Sequence, residues 1–243
     1  MQLLGPDGVE SVRQRSDAFA TPGSLGLRSH VLIRSRFAED RLADAARRGV
    51  RQYVILGAGG DTFAYRQPAW AHDLRIVEVD HPATQGAKRE RLDASGVAVP
   101  GNLTFAPVDF EAVPLHDALL ANGVDLSQPV FFSWLGVTMY LTEPAVDAVL
   151  RVVAGCVTSS EIVFTFAQPP GLFGSRRLAK MSAEVGEPWL SYFTPKGLEK
   201  KLGAMGFSTI HFLTPDEAQR RYIGHRTDML PAPRRTSVVS AVV

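Results

Sequence analysis

Apolar and polar positions divide the chain into six or seven β-rich hydrophobic segments that alternate with helical patterns or turns. The first five segments are hydrophobic almost throughout, which is typical of parallel strands buried on both faces of a sheet. The segments predict strands at Gln52–Leu56, Leu74–Val79, Leu103–Val108, Pro129–Leu135, Glu161–Phe166, Phe207–Leu213 and Ser237–Val243.

Helical patterns between these strands predict helices near Arg28–Arg48, Pro82–Ala94, Glu143–Ala154 and Pro195–Met205. Gly49 and Gly206 follow two of these helices at positions typical of helix C-caps. Alternating strands and helices indicate an α/β fold with a doubly wound, mostly parallel sheet. A short helical segment, 215–222, separates the last two strands, which fits a sheet in which the last strand turns antiparallel.

A chain of 243 residues suits one α/β domain with a substantial core, so we predict a single domain with an N-terminal helical cap at 1–50. The formal net charge of +1 argues against nucleic acid or an anionic membrane as the main partner. Residues 1–17 lack the apolar core of a signal peptide, and no segment approaches the length of a membrane span. The cytoplasm is therefore the expected compartment.

The cysteine and histidine positions do not favour metal or disulfide chemistry. Cys156 is the single cysteine and lies in an apolar segment, so we interpret it as a buried hydrophobic residue rather than a nucleophile. The six histidines show no H-x-H or H-E-x-x-H spacing. We therefore predict no metal site.

The first two strands end in residues that are typical of a cofactor site. Gly57 and Gly59 follow the first strand, and Asp80 follows the second, 21 residues after Gly59. This layout binds adenosine-containing cofactors at the carboxyl ends of parallel strands. Thr62 stands where a dinucleotide fingerprint has its third glycine, which weakens NAD and FAD and favours a cofactor without a pyrophosphate.

Two acids are the candidate contacts to the adenosine. Asp80 can accept hydrogen bonds from both ribose hydroxyls, and the alternative is a solvated helix cap. Asp109 follows the third strand and can accept from the exocyclic amine of adenine, with Phe110 offering a backbone N–H or a flat apolar contact. A local turn is the alternative interpretation of Asp109.

The N-terminal helix places arginines on its apolar face. At ~100° per residue, Arg34 and Arg41 lie within the apolar face, whereas Arg36 lies on the opposite side. A guanidinium that points at the protein body needs an anion. The alternative is an arginine whose stem covers the core while its head reaches water.

Three blocks of the sequence resemble one known family. They are Val54-Ile55-Leu56-Gly57-Ala58-Gly59-Gly60-Asp61-Thr62, then Glu78-Val79-Asp80-His81-Pro82, and Trp134-Leu135-Gly136-Val137-Thr138-Met139-Tyr140-Leu141. Together they resemble the leucine carboxyl methyltransferase-like family of class I S-adenosylmethionine-dependent methyltransferases. The resemblance runs from about Arg28 to the C-terminus.

The resemblance implies a Rossmann-like sheet of seven strands with an antiparallel last strand, and S-adenosylmethionine as cofactor. It also implies that the glycine loop faces the methionine part, and that Arg34, in the R-x-R element Arg34-Ser35-Arg36, holds the cofactor carboxylate. Leu135 departs from the family, in which an acid often precedes this glycine. The predicted cofactor site comprises Arg34, Gly57, Ala58, Gly59, Asp80, His81, Asp109, Phe110 and Leu135.

The expected reaction is O-methylation of a carboxylate or hydroxyl on a small molecule. Residues 168–192 combine Gly/Pro hinges with apolar residues and are predicted to form a lid after the fifth strand. Tyr140, Trp189 and Tyr192 are candidates for the acceptor pocket, although Tyr140 also suits a packed aromatic. His81 more readily suits a helix cap than a base, so no catalytic residue is assigned.

Two other functions stay open at this point. The glycine-and-acid layout also suits a nicotinamide-dependent oxidoreductase, which Thr62 opposes. Leu135 and the short chain leave room for a cofactor-binding homologue without transfer activity.

Overall fold

The computed structural model describes Glu10 and residues 21–109, 113–169, 183–184, 186, 188–228, 230–233 and 237–243. Its strands are β1 (Gln52–Leu56), β2 (Arg75–Asp80), β3 (Leu103–Pro107), β4 (Val130–Trp134), β5 (Glu161–Thr165), β6 (Thr209–Phe212) and β7 (Val238–Val242). They form one seven-stranded sheet in the order β3-β2-β1-β4-β5-β7-β6.

The pairing of the strands confirms the predicted topology. Strands β1 to β5 are parallel to one another, whereas β7 is antiparallel to both β5 and β6. Every residue of β1, β4 and β5 is buried, as expected for strands covered on both faces. The doubly wound, Rossmann-like class of the sheet is therefore correct.

Six helices surround the sheet in the described part of the chain. They are α1 (Pro22–Arg47), α2 (Pro82–Ala94), α3 (Leu115–Ala121), α4 (Glu143–Ala154), α5 (Pro195–Met205) and α6 (Pro215–Ala218). Four of the six begin with a threonine whose hydroxyl accepts a backbone N–H, followed closely by proline: Thr21, Thr142, Thr194 and Thr214. A hydroxyl N-cap and a proline in the first turn together fix where a helix starts.

Two helix assignments differ from the prediction. Helix α1 begins six residues before Arg28, because Thr21 and Pro22 start the helix. The interruption by Gly23 and Gly26 conceals that first part in the hydrophobic pattern. Helix α3 was not predicted, since its seven residues are too few to show a helical period.

Two hydrophobic clusters cover the two faces of the sheet. One joins β1, β2, β4 and β5 to helices α3, α4 and α5, and the other joins the sheet to α1 and α6. Cys156 is buried in the first cluster, as predicted. No helix in the described part is long and apolar enough to cross a bilayer.

Helix α1 crosses the sheet from one end of the strands to the other. Near its C-terminus, Arg41 Nε and the Arg48 guanidinium, just past the helix, donate to Glu161 at the amino end of β5, over 2.6 and 2.8 Å. Nearer its N-terminus, Arg34 lies against Gly136, just beyond the carboxyl end of β4. The N-terminal half of α1 therefore overhangs the edge of the sheet where ligands bind in this fold class.

Candidate active site

The strand order reverses between β1 and β4, and a crevice opens at their carboxyl ends. Open α/β sheets bind ligands at this switch point. Gly57 follows β1 with φ of +63°, and Gly136 follows β4 with φ of +79°. A Cβ on Gly57 would overlap Cγ2 of Val137, and one on Gly136 would lie 2.6 Å from Nη1 of Arg34. Glycine is needed at both positions because of the backbone conformation and the close neighbours.

The glycine loop is held to the end of β2. The N–H groups of Gly57 and Ala58 donate to the Val79 carbonyl over 2.8 and 3.2 Å. The N–H of Gly59 donates to one carboxylate oxygen of Asp80, and the N–H of His81 donates to the other over 2.8 Å. These contacts fix the loop and the carboxylate relative to each other.

Asp80 keeps capacity for a ligand despite its two backbone contacts. Each carboxylate oxygen accepts one backbone N–H and has a second lone-pair direction free for a hydroxyl. The side chain is buried to 9% exposure at the rim of the crevice. The helix cap next to it is His81, whose Nδ1 accepts from the Ala83 N–H over 3.3 Å, so the capping interpretation of His81 is confirmed.

The third strand end lies beside the second. The N–H of Val108 donates to the Asp80 carbonyl over 2.8 Å, which places Asp109 next to the Asp80 strand end. Asp109 is partly buried, and its carbonyl accepts from the Val113 N–H. Phe110 lies outside the described residues. The structure thus arranges Gly57, Asp80 and Asp109 along neighbouring strands in the order that the sequence predicted.

Arg34 has an unsatisfied guanidinium at the other side of the crevice. Its Nε is buried and has no hydrogen-bond partner among the described residues. Burial lowers the pKa of Arg34, while Tyr140 and the Asp61 carboxyl oppose this lowering. A buried donor without a partner costs ~1–3 kcal/mol, and more when it is charged. The position therefore suits an anionic group of a ligand.

Asp61 lies beside this site, and the sequence predicted no role for it. Its carboxylate accepts from the Phe63 N–H over 2.7 Å, which closes the turn after the glycine loop. Burial raises the pKa of Asp61, and hydrogen bonding to Phe63 and the charges of Lys88 and Arg66 lower it. Its place in the L-G-A-G-x-D-T block was the available signal.

The loop after β4 is held by the end of β5. The Gly136 N–H donates to Thr165 Oγ1 over 2.7 Å, and Thr138 Oγ1 donates to the Thr165 carbonyl over 2.6 Å. Val137 and Thr165 therefore shape the crevice without contributing a charge. No motif marks these residues, because their role depends on strand pairing. Leu135, in this loop, is partly buried and packs against the α1 face of the sheet.

The predicted acceptor residues lie next to this loop. Leu190 N–H donates to the Met139 carbonyl over 2.7 Å, which docks residues 188–193 on the Thr138–Tyr140 turn. The rings of Trp189 and Tyr192 are 6.2 Å apart, and Trp189 Nε1 is buried without a partner in the described part. Tyr140 is partly buried there as well. Most of the predicted lid, 168–192, lies outside the described residues, so the lid stays a prediction.

These groups fit S-adenosylmethionine. The Arg34 guanidinium would hold its carboxylate, Gly57 and Gly136 would let the backbone approach its methionine part, and Asp80 would hold its ribose. A seven-stranded sheet with an antiparallel β7 and this crevice define a class I S-adenosylmethionine-dependent methyltransferase.

Comparison with known proteins agrees with this class. The family model for leucine carboxyl methyltransferase matches residues 3–154. The chain is 35% identical to a Bacillus subtilis protein named "Putative S-adenosyl-L-methionine-dependent methyltransferase YktD", over 87% of this chain and 71% of that protein. The chain belongs to the leucine carboxyl methyltransferase family, and its cofactor is S-adenosylmethionine. The nicotinamide alternative is therefore wrong.

Other relatives are longer than the matched region. A Mycobacterium marinum protein named "Putative S-adenosyl-L-methionine-dependent methyltransferase" is 33% identical to this chain. The match covers 66% of this chain and 51% of that protein. A methyltransferase structure from Thermobifida fusca has a TM-score of 0.64 at 22% identity, over 99% of this chain and 91% of that one. This likeness is one of fold.

Proposed function

We propose that this methyltransferase transfers the methyl group to a carboxylate or hydroxyl oxygen of a small molecule. The observation that carries the proposal is the Arg34 guanidinium, which lies against Gly136 and has a buried Nε without a partner in the described part of the chain, because it sets where the methionine end of the cofactor would lie. With the cofactor bound in this way, its methyl group would face the turn after β4 and residues 188–193.

Oxygen is the favoured acceptor atom for two reasons. The family that the chain belongs to is named for methylation of a carboxyl group. The described groups on the turn after β4 and on residues 188–193 include the aromatic side chains of Tyr140, Trp189 and Tyr192, which suit a small organic acceptor.

Alignment is the main task of the protein in this reaction. The sulfonium of S-adenosylmethionine supplies an already activated methyl group when bound. Arg34, Asp80 and the glycine loop would fix the donor, and the turn at Thr138–Tyr140 would fix the acceptor in line with it. Orientation of this kind can lower a barrier by about 7–11 kcal/mol in favourable cases. A carboxylate acceptor needs no base, whereas a hydroxyl profits from one.

The partner is a small molecule rather than nucleic acid or a membrane, a proposal that the net charge of +1 supports. The cytoplasm is the proposed compartment on the basis of composition. The Mycobacterium marinum relative is about twice as long as the region that matches this chain. The activity of the whole protein is therefore part of the proposal.

A transfer assay tests the proposed function. Purified protein is incubated with methyl-labelled S-adenosylmethionine and paired acceptors that differ in one group, namely carboxylic acids, alcohols, phenols, amines and thiols. We expect label in base-labile esters or in stable ethers. Label confined to amines or thiols would contradict O-methylation. Calorimetric titration with S-adenosylhomocysteine is the control that the cofactor site of the preparation is intact.

A further inference from the structure

Beyond β4 the sheet continues with β5 and β7, and helix α1 reaches this side of the sheet through a contact between His30 and Ser237. The candidate adenosine contacts lie on β3 and β2, the glycine loop on β1, and Arg34 at β4. Because these elements follow the strand order, we expect the acceptor on the side of Arg34 that faces β5 and β7. His30 and Ser237, which contact each other there, have no role in the site described so far.

His30 is the titratable group at this position. It lies one helical turn before Arg34, so the two side chains share a face of α1. Its Nδ1 is 3.4 Å from Oγ of Ser237, the residue that precedes β7. The carbonyl of Ser237 accepts from the Phe166 N–H over 3.1 Å, which fixes it at the carboxyl end of β5.

A closed set of contacts joins helix α1 to the ends of β4, β5 and β7. Gly136 contacts Thr165 of β5, and Phe166, just past β5, contacts Ser237. Ser237 contacts His30, and Arg34, one turn further along α1, lies against Gly136. His30 is partly buried within this set. Its Nε2 has no hydrogen-bond partner in the part of the chain that the structure describes.

We propose that His30 is a catalytic residue that binds a hydroxyl of the acceptor through Nε2 and takes its proton, so that the acceptor is an alcohol or phenol rather than a carboxylate. The inference rests on the proposed O-methylation and makes it more specific. The O–CH3 bond forms as the S–CH3 bond breaks, the sulfonium becomes a neutral thioether, and the hydroxyl proton moves to Nε2.

The environment keeps the imidazole in the form that this role needs. Burial and, to a smaller extent, the neighbouring Arg34 charge together lower the pKa of His30 to about 4. Ser237, the residue before β7 that His30 contacts, is uncharged. Once the cofactor is bound, its carboxylate would pair with Arg34 and offset the effect of the Arg34 charge on the His30 pKa. The imidazole would then be a stronger base. A neutral imidazole accepts a proton, which a carboxylate acceptor does not have to give.

The tautomer of His30 provides a test that needs no acceptor. Long-range nitrogen–proton NMR spectra of the protein with S-adenosylhomocysteine identify the protonated ring nitrogen, and His30→Gln assigns the signal. We expect the proton on Nδ1, towards Ser237, and a lone pair on Nε2 above pH 6. A proton on Nε2 at pH 7 would overturn the proposal.

Kinetics with the acceptor found in the transfer assay complete the test. General base catalysis contributes about 10²–10⁴-fold, so His30→Gln and His30→Asn should lower kcat by about 100-fold or more. The affinity for S-adenosylhomocysteine should change less than about threefold, and His116→Gln, an exposed histidine on α3, should match the wild type. Methylation of hydroxyls at an unchanged rate in both His30 variants, or methylation of carboxylates alone, contradicts the role of His30 and leaves O-methylation standing. Transfer to amines alone contradicts both.

Discussion

Arg34 and Arg41 lie two turns apart on the same face of helix α1, yet their partners differ. Arg41 Nε donates over 2.6 Å to Glu161, a fully buried carboxylate. The Nε of Arg34 is buried with no partner in the described part of the chain. One arginine therefore completes an internal ion pair, and the other has a buried donor that a ligand anion would satisfy.

Replacing Arg34 should weaken cofactor binding. A charge-assisted hydrogen bond contributes about 1.5–3 kcal/mol, so Arg34→Met should raise the Kd for S-adenosylhomocysteine by about 10- to 100-fold. Calorimetric titration measures the change. Arg36→Met is the matched control, since the Arg36 side chain is 59% exposed on the other side of the helix. Equal effects of the two substitutions would contradict the role of Arg34.

The glycine loop should tolerate a methyl group at Gly60 but not at Gly57. Gly57→Ala combines a positive φ with an overlap on Val137, and we expect a loss of about 1–3 kcal/mol in the free energy of unfolding. Gly60→Ala should be close to neutral, because nothing lies within 4 Å of its Cβ position. Urea denaturation provides both values. The double variant Gly57→Ala/Val137→Ala should recover part of the loss, and no recovery would show that the overlap is not the cause.

Asp80 should discriminate between ribose and deoxyribose. We expect the 2′-deoxy analogue of S-adenosylhomocysteine to bind the wild type about tenfold more weakly than the parent compound, because one hydroxyl contact is lost. Asp80→Asn should bind both compounds weakly and show little difference between them. Asp93→Asn, at an exposed position on α2, is the control. A variant at Asp80 that still discriminates would place the ribose elsewhere.

Glu161 should matter for stability and not for the cofactor. Its carboxylate is buried and accepts from Arg41, from Arg48 and from Ser240 Oγ over 2.7 Å. Removing one partner of a buried ion pair costs about 3–5 kcal/mol, so Glu161→Gln should lower the free energy of unfolding by an amount of this order. Asp44→Asn, which removes an exposed pair with Arg47, should cost less than about 1 kcal/mol. The Kd for S-adenosylhomocysteine should stay unchanged in both, since Glu161 lies at the opposite end of the strands.

His30 should make the stability of the cofactor-free protein depend on pH. Its pKa in the folded state is about 4, against 6.5 for the free side chain. Between these values the unfolded state binds more protons than the folded state, so stability is lost as pH falls from 6.5 towards 4. The loss amounts to roughly 3 kcal/mol at most. Urea denaturation at pH 4.5 and 7 should show a smaller difference in His30→Gln than in the wild type, and an equal difference would contradict the assignment.

The sequence was sufficient for the sheet because its strands are buried on both faces. Continuous apolar runs such as Gln52–Leu56 and Glu161–Phe166 identify a strand without any knowledge of its neighbours. Helix α3 was missed because its seven residues make only about two turns, too few to show a helical period. The connection between β1 and β2 contains two 3₁₀ turns, Phe63–Tyr65 and Ala69–Ala71, for which no helical pattern was found.

The residues of the candidate site also divide into those that local sequence patterns predict and those that they do not. Gly57, Asp80 and Arg34 were found because motif spacing and a helical wheel are local properties of the sequence. Residues that shape the site through pairing of distant segments were not found. Thr165 contacts the site through its hydrogen bond with Gly136 in the loop after β4. Ser237 contacts His30, which lies 207 residues earlier in the chain. Contacts of this kind depend on strand order, which a single sequence does not reveal.

The position of β7 has a consequence for how the protein is made. β7 follows β6 in the chain but lies between β5 and β6, so until β7 is synthesised β6 has no partner in the sheet and β5 lacks one neighbour. The strands of the cofactor crevice, β1 to β4, leave the ribosome well before. A nascent chain can therefore complete the donor half early, while an unprotected strand edge at β5 stays open to aggregation until the last strand arrives.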